Sequence, residues 1–456
     1  RPCYEFVQLK RDKEMNNLNF LVDVLKESPV FKTLEKNVKP GRTVCASGLS
    51  TINKSNIIYA LCRLKGVTAF CLASDEKEAQ TLCNDLSCMG LRAYVYPVRD
   101  FNFLDFQSRS HEYEHARLKV LLKLLNHECD VAIACVDAAA QLTVPRNVLE
   151  QSVIEFEEGR ELSLEKATKA LTLLGYERFD AVEGSGQFSL RGGILDFFMP
   201  DSDYPVRCEF WGDEITDLSY FDIETQRRFK KADKITLSPS TEIVIEDRAA
   251  LADKIEHKAK LLRSKNSAKA KEKLFSEAEL IRSGAMIANA DKFINQIYDK
   301  PESLFDYLDR NTLVFASEFT AIQERGKSMD FISNETLMQG FEDGTLCRGF
   351  DRFALTFNEC TEFLQSHGTI VLENFVHGSM PIKLSEIISF STKQLSAWGG
   401  SYKQLKEDVD GLFTPESKGV IFAGTERAAK NLCDTFNADG INAVYSAVSY
   451  THLRAH

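Results

Sequence analysis

Residues 176–228 have the sequence YERFDAVEGSGQFSLRGGILDFFMPDSDYPVRCEFWGDEITDLSYFDIETQRR, and this stretch sets the organisation of the chain. Apolar and polar residues alternate in short runs, which is typical of strands that bury one face. Turn-forming pairs such as Gly192-Gly193 and Gly212-Asp213 separate the runs. The pattern predicts strands at 187–191, 193–199, 205–211, 214–222 and 234–237, preceded by a helix at 163–174. We therefore expect a small α+β domain with a largely antiparallel sheet at residues 146–241.

Strand alternation divides the side chains of this sheet between two faces. The apolar set, which must pack against the helix, comprises Phe188, Leu190, Val206, Cys208 and Phe210. The opposite set comprises Gln187, Ser189, Arg191, Arg207, Glu209 and Trp211. Arginines beside a large aromatic residue and a carboxylate are typical of a protein–protein hot spot. A surface ion pair between either arginine and Glu209, with Trp211 at the edge of the core, explains the pattern equally well.

The flanking regions show a different rhythm, in which apolar runs alternate with amphipathic stretches. Upstream, the pattern predicts strands at 42–47, 67–73, 92–96 and 130–136 and helices at 53–64, 76–89 and 109–127. Such alternation indicates a parallel sheet covered by helices. Downstream, strands are predicted at 312–316 and 369–373, and residues 418–436 predict a strand followed by a helix with Thr425 as its N-cap. The fold class is therefore α/β, in four parts: 1–145, 146–241, 242–383 and 384–447.

Composition limits the classes of partner. The 456 residues carry a net charge of −11, whereas a strong DNA-binding module usually has a basic excess. Eight Lys or Arg lie within residues 254–273 on a predicted helical segment, for which a solvated surface is favoured over a nucleic-acid face. The twelve cysteines include no CxxC pair, so we expect no metal site and a protein of the reducing cytoplasm. Because every apolar run is shorter than a membrane span, we expect no membrane partner. Residues 448–456 lack periodicity and resemble a translated sequencing adaptor, so we expect a non-native tail.

GLSTINKS, residues 48–55, lies between a predicted strand and a predicted helix, where a phosphate-binding loop would be. Gly48, Lys54 and Ser55 match the pattern G-x-x-x-x-G-K-[ST], but Asn53 occupies the position of the second glycine. An NTPase also needs a carboxylate after a later strand to hold Mg²⁺, and residues 137–140 are Asp-Ala-Ala-Ala. The sequence predicts a vestigial loop without catalytic residues or cofactor, although an ordinary capped helix start fits equally well.

The motif RGGILDFF…PVRCEFWGDEI…FD…TQR resembles the domain that the excinuclease subunit UvrB and the transcription-repair coupling factors (the Mfd family) use to bind UvrA. Carried over by position, the resemblance implies UvrA contacts at Arg178, Arg191, Arg207 and Glu209, with Phe188, Phe210 and Trp211 supporting. Ser189 stands where UvrB has an arginine. Residues 96–125 are similar to the coupling factors' first domain, a degenerate helicase-like (RecA-like) fold that has lost its nucleotide site.

The resemblance covers about residues 15–447 and implies an amino-terminal fragment that recruits UvrA to RNA polymerase stalled at DNA damage. In the family, a polymerase-binding domain and an ATP- and Mg-dependent translocase on double-stranded DNA follow this region, and the carboxy-terminal domain masks the insertion. The fragment itself is expected to be non-catalytic. The alternative is a UvrB-type excinuclease helicase subunit with an active P-loop. An intact loop and the aromatic hairpin of UvrB would support that alternative, but between residues 96 and 134 one loop and one helix leave no room for the hairpin.

Overall fold

The computed structural model describes residues 6–9, 19–99, 111–263, 267–285, 290–375, 380–392, 399–412, 419–423 and 425–446. The first elements are β1 (Phe6–Leu9), α1 (Asn19–Glu27), α2 (Pro29–Asn37), β2 (Val44–Ser47), α3 (Thr51–Lys65), β3 (Ala69–Ala73), α4 (Glu76–Cys88), β4 (Ala93–Tyr96), α5 (Glu112–Leu125), β5 (Val131–Cys135), α6 (Val136–Ala140) and α7 (Arg146–Gln151). Next come β6 (Ile154–Glu157), α8 (Leu164–Leu173), β7 (Glu177–Arg178), β8 (Gln187–Arg191), β9 (Ile194–Phe197), β10 (Val206–Trp211), β11 (Glu214–Phe221), β12 (Arg228–Lys231) and β13 (Lys234–Leu237). The last elements are α9 (Arg248–Leu261), α10 (Ser267–Ser283), α11 (Ile294–Ile297), β14 (Leu313–Ser317), α12 (Phe319–Asp343), α13 (Phe357–His367), β15 (Thr369–Leu372), β16 (Glu386–Ser389), α14 (Tyr402–Leu412), β17 (Gly419–Phe422), α15 (Glu426–Ala438) and β18 (Ala443–Ser446), with 3-10 turns at Ala290–Phe293 and Leu304–Tyr307.

A seven-stranded parallel sheet in the order β16-β2-β15-β14-β3-β5-β4 forms the largest layer. Its central strands are buried throughout, as parallel strands covered on both faces must be. Helices α1 to α4 pack on one face through residues such as Phe31 and Ile58. Helices α5, α6, α12 and α13 cover the other face, around Leu118 and Phe319. The predicted α/β class is confirmed, and the sheet takes strands from both sides of the α+β segment.

The α+β segment has a sheet of its own, with six strands in the order β12-β11-β10-β9-β8-β7. All neighbours are antiparallel except the two-residue β7, which pairs in parallel with β8. Helix α8 begins after Ser163, whose hydroxyl accepts a hydrogen bond from the Lys166 N–H, and it covers one face of the sheet. Strands β6 and β13 pair separately. The sequence predicted β8 to β11 and β13, but missed β6, β7 and β12.

The last part of the chain contains a three-stranded antiparallel sheet in the order β17-β1-β18. Helices α14 and α15 pack together beside it through Leu405 and Phe436. The hydroxyl of Thr425 caps α15 by accepting from the Ala428 N–H, which confirms the predicted N-cap. The pairing of β1 with strands far along the chain was not predicted. Strand β16, assigned from sequence to the last part, instead pairs with β2 in the large sheet.

Six of the eight basic residues of 254–273 lie on two helices, α9 and α10, rather than on one helical segment, and Arg263 follows α9; Lys265 is outside the described residues. The two helices pack against each other through residues such as Ile255 and Leu274. Some of the lysines have partners here, since Lys258 donates to the Gly349 carbonyl and Lys260 pairs with Glu256. No helix in the described part of the chain combines the length and apolar composition that a membrane span needs.

Candidate functional site

The six-stranded sheet turns one face away from helix α8, and we call this the polar face. Strand register defines two rows of side chains across it. One row comprises Ser189, Asp196, Arg207 and Ser219. The other comprises Arg191, Ile194, Glu209 and Asp217. The predicted residues Arg191, Arg207 and Glu209 therefore share one face, although β9 lies between the strands that carry them.

Asp196 on β9 is the centre of the polar face. Its side chain is 1% exposed and accepts hydrogen bonds from two arginines. Arg191 donates through Nη2 at 2.8 Å, and Arg207 donates through Nε at 2.7 Å and Nη2 at 2.8 Å. Charge-assisted bonds of this length are strong, and the bidentate geometry fixes the plane of the Arg207 guanidinium. One buried carboxylate therefore orients both predicted contact arginines.

Arg207 is held from several sides. Its Nη1 and Nη2 donate to the backbone and side-chain oxygens of Gln226 at 3.1 and 3.0 Å, and its guanidinium lies 4.3 Å from the centre of the buried Phe221 ring. The hydrogen bond to Asp196 raises the pKa of the Arg207 guanidinium above its usual value. Its side chain is only 14% exposed, whereas that of Arg191 is 51% exposed. Arg191 is therefore the more accessible of the two arginines.

Glu209 pairs with Arg228 of β12, and Arg228 also reaches Asp217 at 3.0 Å. The alternative in which Glu209 pairs with Arg191 or Arg207 is wrong, because both arginines bind Asp196 of β9 and Glu209 pairs with Arg228. No sequence pattern pointed to Arg228, since β12 is exposed along its whole length and shows no alternation.

The other predicted residues occupy different positions. Phe188 and Phe210 are buried in the core on the α8 side. Trp211 is 82% exposed next to the turn between β10 and β11. Arg178 is exposed on β7, where its register partner is Phe188. Since register partners share a face, Arg178 is on the face of the sheet opposite to that of Arg191. Ser189 was expected on the exposed face, yet it is 1% exposed and its hydroxyl donates to the Asp180 carbonyl.

Two further aromatic side chains are exposed in the same domain. The Tyr204 and Phe229 rings stack edge to face, with centroids 4.7 Å apart, and are 42% and 54% exposed. Phe229 is on β12, the outer strand of the sheet. Exposed aromatics beside arginines are typical of protein-binding surfaces. The sequence pattern missed this pair because β12 itself was not predicted.

The predicted nucleotide loop is short and filled by protein. Only Gly48, Leu49 and Ser50 separate β2 from α3. Gly48 has φ of +77°, and a Cβ there would overlap the carbonyl oxygen of Phe390. The Gly48 and Leu49 N–H groups donate to the carbonyls of residues 374 and 373. Two of the backbone N–H groups of this loop are therefore bonded to the chain itself.

Lys54, Asn53 and Ser55 also have protein partners. Lys54 is 3% exposed, and its Nζ donates to Glu318 at 2.5 Å and to the Ser317 hydroxyl at 3.0 Å, with Glu78 at 3.5 Å. Asn53 donates to the Ser50 hydroxyl at 2.7 Å, and Ser55 donates to Asp85 at 3.0 Å. A lysine enclosed in this way is not directed at an open phosphate site.

Two acidic residues that follow strands of the large sheet, Glu373 after β15 and Asp137 after β5, are also buried or paired. Burial raises the pKa of Glu373 from 4.5 to about 7, and the nearby Glu318 contributes to the increase. One Glu373 oxygen accepts from the Phe319 N–H at 2.8 Å, while the other is buried without a hydrogen bond in the described part of the chain. Asp137, which follows β5, forms a two-pronged ion pair with Arg325 at 2.9 and 2.6 Å. The carboxylate after the later strand is therefore already neutralised by a protein cation.

Comparison with known proteins agrees with this arrangement. Residues 154–243 match the family described as the UvrB interaction domain, a range that contains β6 to β13. The transcription-repair-coupling factor of Bacillus subtilis (strain 168) is 26% identical over 428 residues, covering 91% of this chain and 36% of that protein. That of Staphylococcus epidermidis (strain ATCC 35984) is 24% identical, covering 75% and 30%. That of Staphylococcus aureus (strain MRSA252) is 21% identical, covering 91% and 36%.

The chain spans about a third of the length of these relatives. The match to the UvrB interaction domain coincides with the segment that forms the six-stranded sheet and its polar face. Residues 154–243 therefore form a UvrB interaction domain, in a chain that over most of its length is similar to transcription-repair-coupling factors.

Proposed function

We propose that this chain binds UvrA through the polar face of the six-stranded sheet, as the UvrA-recruiting part of a longer transcription-repair coupling factor. The observation that carries the proposal is the match of residues 154–243 to the UvrB interaction domain. The relatives' printed name supports the link to transcription and repair. RNA polymerase and double-stranded DNA would be engaged by parts of the longer protein that lie outside this chain.

The chemistry of the polar face suits a protein partner with surface carboxylates. Arg191 gives one N–H to Asp196 and is half exposed, and the other donors of its guanidinium have no acceptor among the described residues. Trp211 adds a large exposed aromatic surface. Anchored arginines and aromatic residues lose little side-chain entropy when they bind, which is why such residues dominate hot spots.

We further propose that the region around Gly48 binds no nucleotide in this chain and that the chain is not itself an ATPase. The three-residue link, the enclosed Lys54 and the paired Asp137 support this proposal. They give no support to a helicase subunit with an active P-loop. ATP and Mg²⁺ would belong to the translocase part of the longer protein.

Calorimetric titration of the full chain with UvrA tests the binding proposal. Arg191→Ala is the sharpest variant, because its exposed side chain can be removed with little effect on the domain. Truncation of a hot-spot arginine costs about 2 kcal/mol, so the affinity should fall roughly thirtyfold. Arg207→Ala should also weaken binding. It removes contacts to Gln226 and leaves Asp196 with one arginine partner. The melting temperature of this variant must therefore be measured, to separate lost binding from lost stability.

The matched control is Lys169→Ala on α8, which removes an exposed cation of the same domain on the opposite side of the sheet. It should leave the affinity for UvrA unchanged. Wild-type affinity in both arginine variants would refute the assignment of the polar face. Absence of any binding by the wild-type chain would refute the proposed function itself.

A further inference from the structure

A basic cavity of about 210 Å³ opens at the edge of the large sheet where β14 and β15 begin. It lies at the opposite ends of these strands from the Gly48 region. Five cationic or titratable side chains line it, namely Lys39, Arg42, Lys65, Arg310 and His367. None of the described residues that line it is acidic. The chain as a whole is acidic, with a net charge of −11, so a cluster of basic side chains is not expected from its composition.

Few of these charges are neutralised by the protein. Arg42 pairs with Glu386 at 3.2 Å, and both side chains are more than a third exposed. The Nε of Arg42 is buried and has no hydrogen-bond acceptor in the described part of the chain. Lys39, Lys65 and Arg310 are exposed, and they form no ion pair with any residue that the structure describes. The cavity therefore has three cationic side chains without an ion pair, and one buried donor without an acceptor, among the described residues.

The cations could instead serve the carboxyl ends of helices, where the helix dipole favours positive charge. That explanation covers Lys65, the last residue of α3, and Lys39, just beyond the end of α2; His367, at the end of α13, has a hydrogen bond between its Nε2 and the Thr312 carbonyl. It does not cover Arg42 or Arg310, which lie in connections before β2 and β14 and belong to no helix. The two arginines line the same cavity as the helix-terminal cations, which a dipole effect alone does not require.

The floor of the cavity is backbone that approaches closely. Gly368 has φ of +88°, and a Cβ there would lie 2.7 Å from the Gly41 nitrogen and 2.6 Å from the Arg42 nitrogen. The Gly41 N–H donates to the His367 carbonyl at 2.7 Å, which ties the two connections together. The side chains of Arg42 and His367 therefore project from a rigid base, and a rigid base keeps a binding site preorganised.

We propose that this cavity binds a phosphate group, supplied either as a free phosphate or by a nucleic-acid backbone. A phosphate carries more than one negative oxygen, and arginine matches such oxygens with paired N–H donors. A volume of about 210 Å³ has room for one such group with its water, or for the two linked groups of a pyrophosphate. It is a separate site from the polar face and from the Gly48 region. If the source is a nucleic acid, binding is weak and salt-sensitive, because only a few phosphates are contacted.

The test uses the full chain at constant ionic strength and measures binding calorimetrically with pyrophosphate and with an unphosphorylated single-stranded oligonucleotide. The variant Lys65→Gln/Arg310→Gln removes two exposed cations without emptying the core. The matched control Lys169→Gln/Lys403→Gln removes two exposed lysines from α8 and α14. We expect saturable binding to the wild type and control, and roughly tenfold weaker binding to the cavity variant.

The two probes distinguish the source of the phosphate. Binding of pyrophosphate alone supports a free phosphate, whereas oligonucleotide binding that pyrophosphate displaces supports a nucleic-acid backbone. The proposal is overturned if neither probe binds saturably, or if the cavity variant and the control bind equally well. UvrA affinity should be the same in all these variants, so this result is independent of the polar face.

Discussion

Replacing Asp196 with asparagine removes the charge that orients the polar face while keeping the size of the side chain. The wild-type carboxylate is 1% exposed and accepts three hydrogen bonds from Arg191 and Arg207. Asparagine keeps one acceptor oxygen, and its NH₂ group faces donors that it cannot pair with. Even with its oxygen at the Oδ2 position, asparagine loses the bond from Arg207 Nε and the charge that strengthens the other two, so we expect the sheet to lose about 3 kcal/mol of stability.

Hydrogen exchange followed by mass spectrometry measures this loss locally, because it reports the free energy at which each part of a structure opens. A loss of about 3 kcal/mol accelerates exchange roughly 150-fold in the amides of β8, β9 and β10. Amides of β3 and β5 in the large sheet should be unaffected. The control is Asp213→Asn, which removes the same charge from an exposed turn.

The same variant should also weaken UvrA binding, since both contact arginines lose the group that positions them. In a double-mutant cycle, Asp196→Asn should cost less affinity when Arg191 is already alanine, because one of its two effects is then absent. Unchanged exchange in the small sheet together with wild-type UvrA affinity would refute the positioning role of Asp196.

Three further predictions concern the core and the Gly48 region. Glu373→Gln should remove a pH dependence of the free energy of unfolding. The pKa of this carboxyl is about 7 in the folded state and about 4.5 in the unfolded chain. Wild-type stability therefore falls as the pH rises between these two values. In thermal melts the variant should be as stable as the wild type at pH 4 and more stable at pH 8, by at most about 3 kcal/mol. Equal melting temperatures of variant and wild type at both pH values would contradict this prediction. Lys54→Ala should destabilise the chain by about 3 kcal/mol, because Glu318 loses its buried cation, while calorimetry detects no ATP binding before or after the change; steady hydrolysis lost in the variant would disprove this. Phe188→Ala should cost about 3–5 kcal/mol by opening a cavity beside α8, and an unaltered melting curve would mean that the side chain is not in the core.

Strands β8 to β11 of the small sheet were predictable because their signal is local. Alternation in residues 187–191 and 206–211 follows from the two faces of a half-buried sheet, and the observed strands agree within two residues. The same holds for the parallel sheet, whose short apolar runs are separated by helices. The pattern of one segment does not predict which residue a side chain will contact, because that contact depends on strand order and register.

Asp196 illustrates the limit. It lies in the run ILDFF, where apolar neighbours on both sides hide the alternation of β9. A usable signal was present, since the predicted strand 193–199 falls between the two arginine-bearing strands in sequence. Consecutive antiparallel strands usually pair, so β9 should have been expected between β8 and β10. That strand order, together with the register that pairs Asp196 with Ser189 and Arg207, places the aspartate between the two arginines.

The glycine, lysine and serine of the loop at 48–55 each have a structural partner that explains the residue type without a nucleotide. Gly48 is required because its positive φ and the Phe390 carbonyl exclude a Cβ. Lys54 is the buried member of an ion pair with the partly exposed carboxylate of Glu318, across 264 residues of sequence. Ser55 donates to Asp85 on the neighbouring helix α4. A motif match is thus weak evidence for a ligand when packing alone demands the same residues, and the surrounding geometry has to decide.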